Sequence, residues 1–193
     1  MYNMHPFRQF INRYVAISDE EWLAIETCLS RREIKKETVL LEEGKVCRHL
    51  YFLESGLLRF FVWKDGNDIT KFFTEAPYCL TSQKSFVSQQ PAKESIETLE
   101  DSVLWQMSLE DANRLLSVFV WTEFIRKLIQ EVQSFTEEIL EELQTETAEN
   151  RYLKLLERPS PLLQRVPLKH LASYLGIAPQ SLSRIRKKLT KLT

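Results

Sequence analysis

Two periodicities divide this chain, and each predicts a different kind of element. Ser18, with Glu21 three residues on, has the form of a capping box, and Trp22, Leu23, Ile25, Cys28 and Leu29 follow at helical spacing. That predicts a first amphipathic helix. Beyond Lys36 the apolar positions fall into short β-branched and aromatic runs at residues 38–41, 50–53, 57–63, 69–73, 95–99 and 102–107, a texture that predicts strands. Gly44, Gly56 and Gly66 stand at breaks between runs. Glu54-Ser55-Gly56 and Lys64-Asp65-Gly66-Asn67 have hairpin-turn chemistry, because Gly, Asn and Asp tolerate the positive φ that tight hairpins require. Six or more short strands connected in this way predict an antiparallel barrel or roll.

Helical spacing returns at Ser108, an N-cap with Asp111 at the third helical position. Trp121, Ile125, Leu128, Val132, Phe135 and Ile139 then recur at alternating intervals of four and three residues. This heptad row suits a seam with the equivalent helix of a second subunit; packing onto the roll would use the same row. A helix from about Val120 to Arg158 would be roughly 55–60 Å long, and Pro159 and Pro161 would end it. Glu137, Glu138, Glu141, Glu142, Glu146 and Glu149 crowd its second half as a solvated face.

The last segment has a grammar of its own. Leu168, Leu171, Ala172 and Leu175 define a short helix, Gly176 interrupts it, Ile177 plugs the turn, and Leu182, Ile185 and Leu189 define a second helix. This is a helix-turn-helix pattern: Ala172 is small where the helices cross, Gly176 permits the sharp turn, and Pro179 is tolerated in a first turn. From Gln164 to the end there are seven Lys or Arg and no acid, a net charge of +7, which leaves 19 Lys or Arg against 27 Asp or Glu in the first 163 residues. A basic tail behind an acidic body points to a polyanion partner for the tail alone, double-stranded DNA in this context. By position on a recognition helix, Gln180, Ser181 and Arg184 are candidates for reading base edges, and Lys169, Ser183, Arg186, Lys187 and Lys188 for contacting phosphates. His170 lies where it could also meet a phosphate. The competing reading is a ligand- or partner-binding roll whose basic tail docks an acidic protein.

The 193 residues, 44% hydrophobic and 27% charged, describe an ordinary globular chain of one or two domains. Three cysteines without metal-ligand spacing support neither a disulfide framework nor an iron-sulfur cluster, which fits a reducing cytoplasm. No secretory core and no run of about 18 apolar residues occurs, so no membrane span is expected. His5, His49 and His170 are scattered, and neither a nucleophile elbow nor a Gly-rich phosphate loop is present. The chain is accordingly read as no enzyme and as holding no metal.

With helix, strands, long helix and basic hairpin in this order, the chain resembles the Crp/Fnr family of bacterial transcription regulators. The resemblance is strongest at residues 50–73, with their Leu-Tyr-Phe-Leu-Glu-Ser-Gly-Leu-Leu-Arg core, and at residues 166–189. It implies an α+β architecture: an N-terminal antiparallel β-roll of the cyclic-nucleotide-binding, jelly-roll type at 1–117, a long dimerisation helix at 118–158, and a C-terminal winged helix-turn-helix at 159–193. It further implies a homodimer on a palindromic operator, gating by a small-molecule effector, and RNA polymerase as a partner if transcription is activated. Gln180 and Pro179 replace the family's usual glutamate and first-turn arginine, so its standard target does not carry over. The chain ends soon after the second helix, which puts the expected wing around 159–167 unless it is truncated. At the cyclic AMP cassette, residues 78–86 hold no glycine or glutamate; Ser82 stands near the usual glutamate position, and Ala92, Lys93 and Glu94 replace the Arg-Ser pair. Cyclic AMP is therefore not the expected ligand; Ser82, Lys84 and Lys93 are left as the residues of a changed effector pocket. Haem, for which His49 and Cys79 are the formal axial candidates, lacks support.

Overall fold

The computed structural model describes residues 4–157 and 162–189. Strands β1 (Ser30–Ile34), β2 (Val39–Leu41), β3 (His49–Ser55), β4 (Leu57–Lys64), β5 (Asn67–Glu75), β6 (Tyr78–Leu80), β7 (Ser95–Thr98) and β8 (Ser102–Ser108) form two four-stranded sheets. Their orders are β1-β8-β3-β6 and β2-β7-β4-β5, the two-sheet roll that the strand texture predicts. Residues 50–53 of β3 and the first five residues of β4 are buried on both faces, which is why they read as continuous apolar runs. β1, paired with β8 from Ser30↔Gln106 to Ile34↔Ser102, exposes four of its five residues. At the turn into β4, Gly56 has φ +114° and lies so close to Ser102 that a Cβ there would sit 2.1 Å from Ser102 Oγ. Glycine is required here by both conformation and space.

Helices α1 (Pro6–Ile11), α2 (Asp19–Glu26), α3 (Gln83–Ser88), α4 (Leu109–Arg114) with a 3-10 turn at Leu115–Ser117, and α5 (Phe119–Thr145) complete this part. The Ser18–Glu21 capping box forms, and Ser108 Oγ accepts from Asp111 N at 3.0 Å. Phe7 and Phe10 of α1 are buried against Phe52 and against Phe124 of α5, with Phe7 stacked on Phe52 at 4.7 Å.

Two expectations for the long helix are corrected. It is not continuous to Arg158: α5 ends at Thr145, and α6 (Ala148–Glu157) starts afresh, with Asn150 N donating to Thr147 Oγ1. Twenty-seven residues make α5 about 40 Å long. Nor do all six heptad positions face outward. Trp121 is 1% exposed, its Nε1 donates to Ala112 O at 3.2 Å, and its ring lies 5.7 Å from that of Phe124; Leu128 is buried as well. These two belong to the chain's own core.

The chain forms two compact units, the first from residues 1–60 and 73–133 and the second from 61–72 and 134–193. The second therefore contains the tip of the β4–β5 hairpin, the end of α5, and α6, α7 (Leu162–Arg165), α8 (Leu168–Leu175) and α9 (Pro179–Leu189). Among the described residues from 146 to 189 there is no strand. At 162–165, where a wing was expected, the chain makes a helical turn; 158–161 lie outside the described residues.

Candidate nucleic-acid interface and effector pocket

The helix-turn-helix forms as its spacing predicts. Gly176 ends α8 at φ +71°, and the amides of Gly176 and Ile177 bond back to Ser173 O and Ala172 O. This left-handed cap is the reason for the glycine. Leu171, Ala172, Leu175 and Leu182 are at most 1% exposed and form the hairpin's core. Arg151 of α6 donates to Leu175 O at 2.6 Å and so satisfies a terminal carbonyl of α8.

On α9, Gln180, Arg184 and Lys187 are exposed at intervals of four and three residues, so they form one outward stripe, with Ser181 half-buried beside it. Lys169 is exposed on α8. Arg184, Lys187 and Lys169 make no ion pair among the described residues.

The proposed phosphate set divides. Arg186 is turned toward α6: its Nε donates to Tyr152 Oη at 3.1 Å and its guanidinium lies 5.7 Å from the centre of that ring. Lys188 Nζ pairs with Glu149 Oε1 at 2.7 Å, and Ser183 Oγ donates to Pro179 O within its own helix. The cause is geometric, since α6 lies beside α9 and takes up the cations on that flank. His170 is 4% exposed, with Nδ1 3.9 Å from Asp68 Oδ2 of the hairpin tip, so it offers nothing to a phosphate.

In the first unit, Ser82 is 2% exposed and donates to Glu94 Oε1 at 2.7 Å, whereas Lys84 and Lys93 are exposed to solvent. Of the three, only Ser82 is buried. The surrounding loop is fastened from the other side: Ser85 Oγ accepts from Cys47 N, Gly44 N bonds Ala92 O, Ala92 N bonds Lys45 O, and Ser95 Oγ accepts from Glu43 N. A carboxylate standing on Ser82 repels an incoming phosphate. Deeper in the roll, buried Arg59 pairs with Glu97 across β4 and β7 at 2.5 Å. That pair has no counterpart in the sequence reading, because its partners are 38 residues apart.

Sequence reasoning also missed a carboxylate shared between two tyrosines. Tyr14 Oη and Tyr78 Oη both donate to Glu131 of α5, at 2.7 and 3.0 Å. Burial, reinforced by these bonds to Glu131, pushes both phenols well above their usual range.

Along α5 the apolar side chains turned to solvent are Phe119 at its first residue, 73% exposed, and then Ile129, Phe135, Leu140 and Leu143, between 37% and 55% exposed, with Ile125, Val132 and Ile139 half-buried. Ile125, Ile129, Val132, Thr136, Ile139 and Leu143 now carry the four-three repeat. The outward row is thus displaced from the predicted one, because Trp121, Phe124 and Leu128 turn inward. Cys28, Cys47 and Cys79 are buried free thiols, and burial raises the Cys79 pKa. Among the described residues no group of three or more His, Cys, Asp or Glu could hold a metal, and no helix is long and apolar enough to cross a membrane.

Residues 31–118 match the cyclic nucleotide-binding domain family. A stretch of 91 residues is 26% identical to the cAMP-dependent protein kinase regulatory subunit of Mucor circinelloides f. lusitanicus, covering 47% of this chain and 20% of that protein. The chain thus spans about a fifth of the length of that curated relative. Among solved structures, a transcriptional regulator assigned to the Crp/Fnr family from Eubacterium rectale superposes with TM-score 0.70 at 17% identity, covering 90% of this chain and 84% of that one. A CooA mutant from Carboxydothermus hydrogenoformans gives TM-score 0.72 at 14% identity over 98% of this chain and 86% of its own. The likeness is one of fold, and it extends over nearly the whole chain.

Proposed function

On the premise that the chain carries a cyclic nucleotide-binding-type roll and the fold of the Crp/Fnr regulators, we propose that it is a DNA-binding transcription regulator. It acts as a homodimer whose two α9 helices enter successive major grooves of a palindromic operator. One observation carries this reading: an unpaired Gln180–Arg184–Lys187 stripe, presented outward on a helix that Gly176 and α6 hold in place. Arg184 would bond a guanine edge and Gln180 an adenine edge, while Lys187 and Lys169 meet phosphates. The outward apolar row of α5, from Ile125 to Leu143, is the surface proposed to pair the two protomers. The Ser82–Glu94 bond favours an effector other than a cyclic nucleotide, since a phosphate would have to displace a carboxylate.

The test is selection of bound duplexes from a random library, followed by affinity measurement at two salt concentrations. A palindromic consensus and an affinity that falls steeply with salt are expected. Arg184→Ala should relax preference at one base per half-site, worth about 1–3 kcal/mol, whereas Lys187→Ala should weaken all duplexes alike. Tight binding to an acidic protein with no preference among duplexes would instead assign the basic stripe to a protein partner.

A further inference from the structure

We propose that the tip of the β4–β5 hairpin is an intramolecular latch that holds the helix-turn-helix in its reading orientation, with Ser173 as the positioning residue. The proposal rests on the DNA-binding reading above and adds to it the device that fixes the reader. β5 is an edge strand of its sheet, with one row of peptide groups not covered by a neighbouring strand. Ser173 meets that row from α8: its Oγ accepts from Thr70 N at 2.9 Å and donates to Asp68 O at 3.0 Å. Residues 68 and 70 are two apart, so these groups lie on the same strand edge, and one hydroxyl serves both as an adjacent strand would.

His170, one turn earlier on α8, is buried beside the Asp68 side chain. The face of α8 bearing residues 170 and 173 is therefore given to the hairpin, and the face bearing Leu171, Ala172 and Leu175 to the core it shares with α9. The latch leaves the DNA-facing stripe open: Gln180, Arg184 and Lys187 stay exposed while Ser173 is engaged. It is thus an orienting contact and not an occluding one. Fixing the reader in advance removes orientational freedom that DNA binding would otherwise have to remove.

The experiment uses the full chain, with amide hydrogen exchange at Thr70 and affinity for a selected duplex as paired readouts. Ser173→Ala should speed Thr70 exchange and weaken operator binding about tenfold with an unchanged salt slope, since no phosphate contact is lost. Ser173→Thr, which keeps both donor and acceptor, should restore both readouts. Faster Thr70 exchange with unchanged or tighter DNA binding overturns the proposal, as does Thr70 exchange that ignores the substitution. If the unsubstituted protein prefers no duplex at all, the DNA-binding reading falls and takes this role of the latch with it. A wild-type protein that binds normally beside an equally tight Ser173→Ala variant sinks the latch alone.

Discussion

Trp121→Ala separates the two roles open to the heptad row. The side chain is 1% exposed, its ring faces those of Phe124 and Phe7, and its indole N–H is the donor to Ala112 O. Truncating a buried Trp costs about 3–5 kcal/mol through lost burial and the cavity left behind. Leaving the Ala112 carbonyl without its donor adds about 1 kcal/mol. The total, about 4–6 kcal/mol, is a large share of the ~5–15 kcal/mol that stabilises a typical domain. Urea unfolding followed by far-ultraviolet circular dichroism, at one fixed protein concentration, should show a midpoint lowered by about 1.3 M or more for a slope of ~1–3 kcal/mol per molar. Sedimentation equilibrium on the same samples reads the association state. A variant that kept the wild-type midpoint but sedimented as a monomer would refute the reasoning, because it would return Trp121 to a subunit seam.

Leu143→Asp is the converse perturbation: its site is 55% exposed, so the variant should keep its fold and lose self-association. Gly56→Ala should destabilise by about 3 kcal/mol or more, since strain at φ +114° adds to a clash with Ser102; Gly66→Ala, at φ +77° with open space around it, should cost only about 1 kcal/mol. Unfolding midpoints measured side by side check both. Acid sensitivity should trace in part to His5, whose pKa is lowered by burial, with Glu26 and Glu54 acting in the opposite sense. The unfolded chain then takes up the proton first as pH falls, so stability declines from about pH 6.5 downward until the folded form also titrates. Its Nδ1 must remain an acceptor for Phe7 N to cap α1, so His5→Asn should flatten the fall in urea midpoint below pH 6.5 relative to wild type.

Elements whose signal is local were legible in the sequence. The Ser18 and Ser108 caps, the turns at Gly56 and Gly66 and the left-handed break at Gly176 all follow from one or two residues with a single conformational use. β1 was not legible, because a mostly exposed Ser-Arg-Arg-Glu-Ile strand has no apolar run to announce it. The end of α5 was missed because the apolar-glutamate pattern runs on unbroken, while Thr147 turns its hydroxyl to cap a new helix. The burial of Trp121 and Leu128 was not legible because a hydrophobic row does not say which side of it meets the chain's own aromatics. On α9, sequence position showed which residues share a face but not what meets its flank: α6 engages Arg186 and Lys188 from more than thirty residues away. The bond between Ser173 and β5 spans over a hundred residues and leaves no trace in either segment.

The side-on capture of Arg186 by Tyr152, with Lys188 held by Glu149, bears on how attraction to a polyanion should be counted. Formal valence summed along the tail overstates what a duplex meets, since two of those cations must first give up partners inside the protein. With four lysines and arginines on phosphates the logarithmic ionic-strength dependence would approach about −3.6 per protomer; with only Lys169 and Lys187 it falls to about −1.8. For the proposed homodimer the two reading helices together would still give about −3.6, half of what the full set predicts, and the bases would carry correspondingly more of the discrimination.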